Sequence, residues 1–223
     1  MIPRELVGTA RVPGQDAELR CFRHDGAFSI WIGRTELMST RVRGSEEALA
    51  ELALQRLGAR AGPAVLVGGL GLGFTLARAL ELVDAAARVD VAELVPEVVT
   101  WNRDLLGHCS GHPLRDPRTH LIVGDVGAWL ASSGGAYDAV LLDVDNGPEG
   151  LSRPGNDELY GERGIARTRA ALRPGGVLAV WSSAEDPGFA ARLRRMGFAV
   201  TEHRIRARRT KGPWRTIWVA ARE

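Results

Sequence analysis

The stretch 64–73, AVLVGGLGLG, constrains the fold more than any other part of the sequence. Ala64–Val67 is short and wholly apolar, which is typical of a buried strand, and a glycine loop follows it directly. Phe74–Val83 then carries apolar residues at helical spacing. A strand, a glycine turn and a helix in this order place backbone N–H groups and a helix N-terminus beside a ligand, because glycine lets a ligand approach the backbone closely.

The spacing of the glycines narrows the class of ligand. Gly69, Gly71 and Gly73 form G-x-G-x-G, whereas the dinucleotide fingerprint needs a further glycine where Phe74 stands. A phosphate-binding P-loop would need a lysine at that same position. The loop therefore favours a nucleoside whose tail is not a phosphate. A tight turn that binds nothing is the alternative that the spacing leaves open.

Composition excludes several classes of protein. The chain of 223 residues suits one α/β domain with a small addition. Its apolar runs are shorter than the roughly 18–20 residues of a membrane span, and its N-terminus lacks the apolar core of a signal peptide. Cys21 and Cys109 form no C-x-x-C pair and the histidines show no metal-ligand spacing, so we expect a cytoplasmic protein without disulfides or metal. The net charge of +2 is too small to indicate a nucleic-acid partner.

Residues 1–43 predict a small N-terminal β-unit. The expected strands are Glu18–Arg23, Ala27–Ile32 and Thr35–Met38, the first two flanking the hairpin signal His24-Asp25-Gly26. Ser45 is then the predicted N-cap of a helix that ends at Gly58. The main domain is expected to span residues 44–223.

From Ala64 onward, predicted strands and helices alternate. Further strands are expected at Arg88–Glu93, His120–Val123, Asp138–Leu142 and Val177–Trp181, and helices at Pro96–Leu106, Val126–Ala131, Glu158–Leu172 and Phe189–Met196. A closing hairpin pairs Phe198–His203 with Thr216–Ala221. This alternation predicts a doubly wound α/β fold with a mostly parallel, seven-stranded sheet covered by helices on both faces.

Acidic residues stand at the ends of three predicted strands. Glu93, Asp125 and Asp143 each follow or close an apolar strand. Ligands of open α/β sheets bind outside the carboxyl ends of the strands, where these carboxylates would meet the glycine loop. A carboxylate at Glu93 could accept hydrogen bonds from a ribose diol. An ordinary N-cap remains the alternative for Asp125, and a structural cap for Asp143.

The order of motifs resembles spermidine synthase and its relatives, within the class I S-adenosylmethionine-dependent methyltransferase fold. The segments that carry the resemblance are VLVGGLGLG, VAELVPEVV, DPRTHLIVGD, YDAVLLDVDNGPEG and LRPGGVLAVW. The resemblance implies that Glu93 holds the ribose and that Asp125, with Val126 beside it, holds the adenine. It also implies that Asp143 matches the aspartate with which the family deprotonates the acceptor.

The departures from the family pattern fall on the acceptor side. The family's loop GGGDGG has an aspartate where this chain has Gly71 or Leu72. In SEEALAE, which resembles the family's D-E-x-x-Y-H-E, the tyrosine and histidine are replaced by Leu49 and Ala50. The family's second aspartate is either shifted or lost, the candidates for its position being Asp145 and Asn146.

The catalytic candidates are therefore Asp143 and Asp145, because paired carboxylates could orient an amine and take its proton. Asn146 and Tyr160 are candidates for the acceptor pocket, although Tyr160 could equally serve packing. We expect no metal ligands. The basic run 204–215 indicates a solvated hairpin loop or a contact with an anion or RNA.

The leading hypothesis is a transferase that binds S-adenosylmethionine or its decarboxylated form and alkylates a small nucleophilic acceptor, with an amine as the natural candidate. Methyl transfer is favoured, because no acidic loop side chain is present to repel the carboxylate of S-adenosylmethionine. The alternatives are aminopropyl transfer in polyamine synthesis and a non-catalytic nucleoside-binding protein. No membrane partner is expected, and assembly into a homodimer is left open.

Overall fold

A computed structural model describes residues 3–144, 147–148 and 156–223. Asp145 and Asn146, both predicted for the acceptor side, lie outside the described residues. Within the described part of the chain, no helix combines the length and the apolar character needed to cross a membrane.

An antiparallel sheet of four strands forms the N-terminal unit, and we call it the N-terminal sheet. Its strands, in spatial order, are β1 (Glu5–Arg11), β2 (Glu18–His24), β3 (Ala27–Ile32) and β4 (Thr35–Ser39). The sequence analysis missed β1, which is mostly exposed and interrupted by a register shift between Leu6 and Gly8. Pairing with β2, rather than a hydrophobic pattern of its own, makes this segment a strand.

The central sheet has seven strands in the order β10-β11-β9-β8-β5-β6-β7. Its strands are β5 (Ala64–Gly68), β6 (Arg88–Glu93), β7 (Thr119–Val123), β8 (Tyr137–Leu142), β9 (Leu172–Ser182), β10 (Phe198–Arg206) and β11 (Trp214–Arg222). The helices are α1 (Gly44–Leu57), α2 (Phe74–Leu82), α3 (Pro96–Asp104), α4 (Val126–Ala131), α5 (Asn156–Tyr160), α6 (Glu162–Ala171) and α7 (Pro187–Arg195). Strands β5 to β9 are parallel, and β10 and β11 form an antiparallel edge hairpin, so the predicted fold class is confirmed.

Two local predictions were wrong. Ser45 is not an N-cap, because α1 begins at Gly44 and the Ser45 hydroxyl donates to the Glu46 carboxylate over 2.8 Å. The single helix predicted over Glu158–Leu172 is divided at Gly161 into α5 and α6. An added Cβ at Gly164 would overlap the carbonyl oxygen of Leu159, so the chain there turns more tightly than one straight helix allows.

Apolar clusters on both faces of the central sheet form its core. A third cluster joins the N-terminal sheet to α3 and includes Leu72 and Phe74 from the glycine loop and the start of α2. Burial of an apolar side chain of this size stabilises the fold by about 1.5–3 kcal/mol. These contacts dock the N-terminal sheet beside the carboxyl ends of β5 and β6.

Candidate functional site

The glycine loop passes unusually close to the end of β8. Gly69, Gly71 and Gly73 all have positive φ, at 89°, 50° and 82°, a region that favours glycine. A Cβ added at Gly69 would overlap the carbonyl oxygen of Asp143. The Asp143 backbone N–H also donates to the Gly68 carbonyl over 2.8 Å. Glycine at position 69 therefore lets the loop and Asp143 share one edge of the sheet.

Glu93 closes β6 and binds the glycine loop directly. Its carboxylate accepts hydrogen bonds from the backbone N–H groups of Leu70 at 3.0 Å, Gly71 at 3.4 Å and Val95 at 2.8 Å. Burial raises the pKa of Glu93, and these backbone donors lower it in part. A carboxylate offers about four acceptor positions, so Glu93 can hold the loop and still accept a hydroxyl.

One cavity of about 340 Å³ brings most of the predicted site residues together. The predicted residues that line it are Gly69, Gly71, Glu93, Asp125, Val126 and Asp143. The N-terminal sheet supplies another part of the wall through Leu19, Ile30, Ile32, Leu37 and Met38. The volume lies within the range of small-molecule sites. Apolar walls with a few convergent carboxylates suit a nucleoside, whose base is apolar on its faces and polar at its edge.

Asp125 caps α4 and also lines the cavity. Its Oδ1 accepts a hydrogen bond from the Ala128 backbone N–H over 2.8 Å. The two interpretations of this residue are therefore compatible, because the residue that caps α4 is also part of the cavity wall. Contact with adenine stays a prediction.

Asp143 lies in a carboxylate pair that the sequence analysis did not foresee. Its Oδ2 accepts a hydrogen bond from the Thr75 hydroxyl at 2.5 Å, and Thr75 Oγ1 also lies 3.3 Å from the backbone oxygen of Glu46. Burial raises the pKa of Asp143 to about 6. Burial first, and then the charge of Asp143, raise the pKa of Glu46 to about 7. The site thus holds two carboxylates whose charges oppose one another.

Sequence reasoning missed Glu46 and Thr75, which neighbour Asp143 but are not among the residues that line the cavity, and it also missed Glu158 and Arg167, which do line it. Glu46 stands in SEEALAE at the position of an acidic residue in the resembling motif D-E-x-x-Y-H-E, and that match was the available signal. No sequence signal pointed to Thr75. Its hydroxyl reaches the Asp143 carboxylate and the Glu46 backbone oxygen only because α2 packs against the end of β8 and the start of α1.

Comparison with known protein families shows to which family this chain is related. Residues 45–190 match the spermine/spermidine synthase domain. The chain belongs to the spermine/spermidine synthase family. This match covers both α1, which carries Glu46, and the strand ends that carry Glu93, Asp125 and Asp143.

Curated relatives in this family share about a third of the aligned residues. A polyamine aminopropyltransferase of Mycobacterium tuberculosis is 30% identical over 159 residues, which cover 67% of this chain and 29% of the relative. Polyamine aminopropyltransferase 2 of Pseudomonas aeruginosa is 33% identical over 138 residues, covering 58% of this chain and 37% of the relative. The matched segment therefore spans well under half the length of each relative. These comparisons favour the alternative of aminopropyl transfer and do not support the preference for methyl transfer.

Solved structures of spermidine synthases share the fold. One of them is a spermidine synthase in complex with the transition-state analogue AdoDATO. Its superposition on this chain has a TM-score of 0.74 at 17% sequence identity, and the aligned part covers 98% of this chain and 73% of the spermidine synthase chain. The spermidine synthase of Thermotoga maritima has a TM-score of 0.72 and 16% identity over the same fractions.

Among the described residues that depart from the family pattern, Leu49, Ala50 and Leu72 lie in the core, whereas Gly71, the other candidate for the position of the loop aspartate, lines the cavity. Leu72, at the position of the loop aspartate or next to it, is buried in the cluster that docks the N-terminal sheet. Leu49 and Ala50, which replace the family's tyrosine and histidine, are fully buried in the cluster beneath α1. Leu49, Ala50 and Leu72 therefore contribute to core packing in this member of the spermine/spermidine synthase family.

The remaining predicted residues have other surroundings. Gly73 stands at the left-handed N-cap position of α2 and is not among the residues that line the cavity. Tyr160 is almost fully buried, packs edge-on against Phe189 at 5.7 Å, and donates its hydroxyl hydrogen to the Val144 carbonyl over 3.4 Å. Its contact with an acceptor stays a prediction. Among the described residues, no three His, Cys, Asp or Glu side chains are grouped to hold a metal ion.

Proposed function

We propose that the protein is an aminopropyltransferase, which moves the 3-aminopropyl group of decarboxylated S-adenosylmethionine to a small amine. The observation that carries this proposal is the carboxylate pair of Glu46 and Asp143. The Thr75 hydroxyl donates to the Asp143 carboxylate and lies 3.3 Å from the backbone oxygen of Glu46, and the charge of Asp143 raises the pKa of the Glu46 carboxylate. Two buried carboxylates favour cations and disfavour a further carboxylate. The donor that lacks a carboxylate therefore suits the site better than S-adenosylmethionine itself.

The missing loop aspartate does not overturn this proposal. The argument for methyl transfer depended on the absence of a carboxylate near the donor tail. Glu46 and Asp143 supply that charge from α1 and from the end of β8, on other elements than the loop. Glu81, another acid that could approach, is instead paired with Arg78 on the surface at 2.6 Å.

Catalysis would depend on positioning and on one proton transfer. The acceptor nitrogen, once neutral, attacks the propyl carbon next to sulfur, so that a C–N bond forms as the C–S bond breaks. The sulfonium leaves as neutral methylthioadenosine. Asp143, with a raised pKa, can orient the acceptor ammonium and take its proton. Glu93 and Asp125 would hold the nucleoside so that donor and acceptor lie in line.

Product analysis tests this function. The protein is incubated with each donor in turn and a panel of small amines, and the released thioether is identified by mass spectrometry. Methylthioadenosine from the decarboxylated donor is the expected product. Release of S-adenosylhomocysteine from S-adenosylmethionine instead would establish methyl transfer. Tight binding of methylthioadenosine without turnover of either donor would favour the nucleoside-binding alternative.

A further inference from the structure

A guanidinium and an indole N–H, those of Arg215 and Trp181, lie close together at the edge of the central sheet where β8 and β9 end. The Arg215 guanidinium lies 5.6 Å from the centre of the Trp181 ring. It donates a hydrogen bond to the Trp214 carbonyl at 3.1 Å, and within the described ranges it forms no ion pair with a carboxylate. The Trp181 side chain is 7% exposed, and its Nε1–H has no hydrogen-bond partner among the described residues.

Strand register places these two groups level with Asp143. Leu142 on β8 pairs with Val180 on β9, so Asp143 and Trp181 are the next residues along two neighbouring strands. Thr216 on β11 pairs with Ser182 on β9, which places Arg215 just beyond that pair. Asp143, Trp181 and Arg215 therefore follow one another along one edge of the sheet, at the carboxyl ends of β8 and β9 and at the amino end of the antiparallel β11.

Glu46, in the first turn of α1, lies close enough to this group to affect the pKa of Arg215. Trp181 packs in the same apolar cluster as the first turns of α1, the helix in which Glu46 lies. Burial lowers the pKa of Arg215 and the charge of Glu46 raises it in part, while Arg215 in turn lowers the pKa of Glu46. One end of this edge therefore carries two carboxylates, and the other carries the Arg215 guanidinium and the buried Trp181 N–H, so the edge is bipolar.

We propose that Arg215 and Trp181 bind a carboxylate on the acceptor, so that the acceptor is an amino acid-like molecule with a reactive amine and an acid group rather than a plain diamine. This rests on the proposed function. A guanidinium and an indole N–H can only donate hydrogen bonds, and a carboxylate can only accept them. A buried donor left unpaired costs free energy that such a ligand would recover. The far ammonium of a diamine would satisfy neither donor and would be repelled by Arg215.

The carboxylate could in principle belong to either substrate. Amino and carboxyl groups also occur together on the tail of intact S-adenosylmethionine. Asp143 lines the cavity at the end of β8, whereas Arg215 lies two strands away on β11 and is not among the residues that line the cavity. The Glu46 and Asp143 pair disfavours a donor carboxylate in the cavity, which is why the structure assigns the acid to the acceptor. The experiment therefore contains an arm for each source.

Binding can be measured without turnover, which separates this inference from the proposed function. The protein is saturated with methylthioadenosine and titrated by calorimetry with 4-aminobutanoate, with 1,4-diaminobutane and with butylamine, three probes of equal carbon chain length. The amino acid is expected to bind about tenfold or more tightly than either amine, as for a charge-assisted contact. Tighter binding of the diamine, or no binding of 4-aminobutanoate, would overturn the inference.

Variants then assign the effect to these residues. Arg215→Gln should reduce the affinity for 4-aminobutanoate about tenfold or more and leave that for butylamine unchanged. Trp181→Phe keeps an aromatic ring beside Arg215 but removes the indole N–H, so it should reduce the affinity for 4-aminobutanoate to a smaller extent. Arg204→Gln is the matched control, because Arg204 lies on the same hairpin and is paired with Glu185 on the surface at 2.9 Å. Retained affinity for methylthioadenosine shows that each variant is folded.

The second arm compares the donors in the absence of any acceptor. Arg215→Gln should change the affinities for S-adenosylmethionine and for its decarboxylated form by the same small factor. A selective loss of affinity for S-adenosylmethionine, with 4-aminobutanoate binding intact, would assign the carboxylate to the donor and reject an acidic acceptor. If the Arg215→Gln variant lost affinity for 4-aminobutanoate and for butylamine equally, Arg215 would have only a structural role, and an acidic acceptor would again be rejected.

Discussion

The Thr75 hydroxyl donates to the Asp143 carboxylate over 2.5 Å and thereby joins the start of α2 to the end of β8. This hydrogen bond lowers the pKa of Asp143, against burial, which raises it to about 6. A carboxyl group with such a pKa is ionised at neutral pH and can still gain a proton readily. That combination is what a group that deprotonates an ammonium requires.

The first prediction concerns this role of Asp143. Asp143→Asn should retain affinity for methylthioadenosine and lose turnover by a factor on the order of 10²–10⁴, the usual contribution of a positioned acid–base group. Turnover is measured as release of methylthioadenosine, and binding by calorimetry. Asp186→Asn provides the control, because Asp186 is an N-cap of α7 outside the cavity lining. Normal turnover in the Asp143→Asn variant would remove Asp143 from the chemistry.

The second prediction is a stability difference that depends on pH. Because the pKa of Asp143 rises from 3.8 to about 6 on folding, the native state binds this proton more tightly, and its stability falls as pH rises from about 4 through 6. Asp143→Asn removes that penalty and should raise the free energy of unfolding at pH 8 by about 3 kcal/mol. Near pH 3 the two proteins should be almost equally stable. Urea unfolding at both pH values measures this, and a destabilised variant at pH 8 would contradict it.

The third prediction concerns the nucleoside. Glu93→Gln should weaken methylthioadenosine binding by about 1–3 kcal/mol, because hydrogen bonds to a charged acceptor are lost. The amide keeps the shape of the side chain, so thermal unfolding reports how much of the loss reflects a disturbed loop. Glu97→Gln, an exposed carboxylate in the first turn of α3, is the matched control. Equal affinities in the Glu93→Gln variant and the wild type would place the ribose elsewhere.

The fourth prediction tests the close approach of loop and strand. Gly69→Ala should destabilise the protein by at least about 1–2 kcal/mol and abolish nucleoside binding, since alanine disfavours a φ of 89° and its Cβ would overlap the Asp143 carbonyl. Gly134→Ala should be nearly neutral, because an added Cβ there meets nothing within 4 Å. Melting temperatures of both variants measure the loss of stability, and calorimetric titrations with methylthioadenosine measure nucleoside binding. A Gly69→Ala variant as stable and as tight-binding as Gly134→Ala would contradict this prediction.

The fifth prediction concerns the missing loop aspartate. Leu72→Asp should not create a donor-binding carboxylate but should destabilise the fold by at least about 2 kcal/mol, because Leu72 is buried beneath the N-terminal sheet. Leu72→Met, which conserves volume, should cost less than about 1.5 kcal/mol. Urea unfolding compares them. A stable Leu72→Asp variant with improved binding of the decarboxylated donor would show that this side chain can face the cavity.

Local sequence was sufficient to predict the part of the candidate site that we propose binds the nucleoside. A strand, its glycines and a following helix lie within twenty residues, and an acid at the end of a parallel strand must reach the same edge of the sheet. Chain order alone could therefore place Gly69, Glu93, Asp125 and Asp143 together, and all four line one cavity. The same physics explains why the alternating strands and helices predicted the central sheet.

The proposed acceptor side could not be predicted in this way, because its groups come from distant segments. Glu46, Thr75, Trp181 and Arg215 meet only when α1, α2 and the edge hairpin pack around the ends of β8 and β9. The strand β1 and the break at Gly161 were missed for a related reason, since pairing and close contacts override a weak local pattern. The sequence by itself determined the sheet, the glycine loop and the carboxylates at its edge, since these follow from periodicity and chain order. Only the tertiary structure decided that Leu72 packs in the core, that Glu46 lies near Asp143 and that Arg215 lies beside Trp181, because side-chain surroundings depend on which elements cover the sheet.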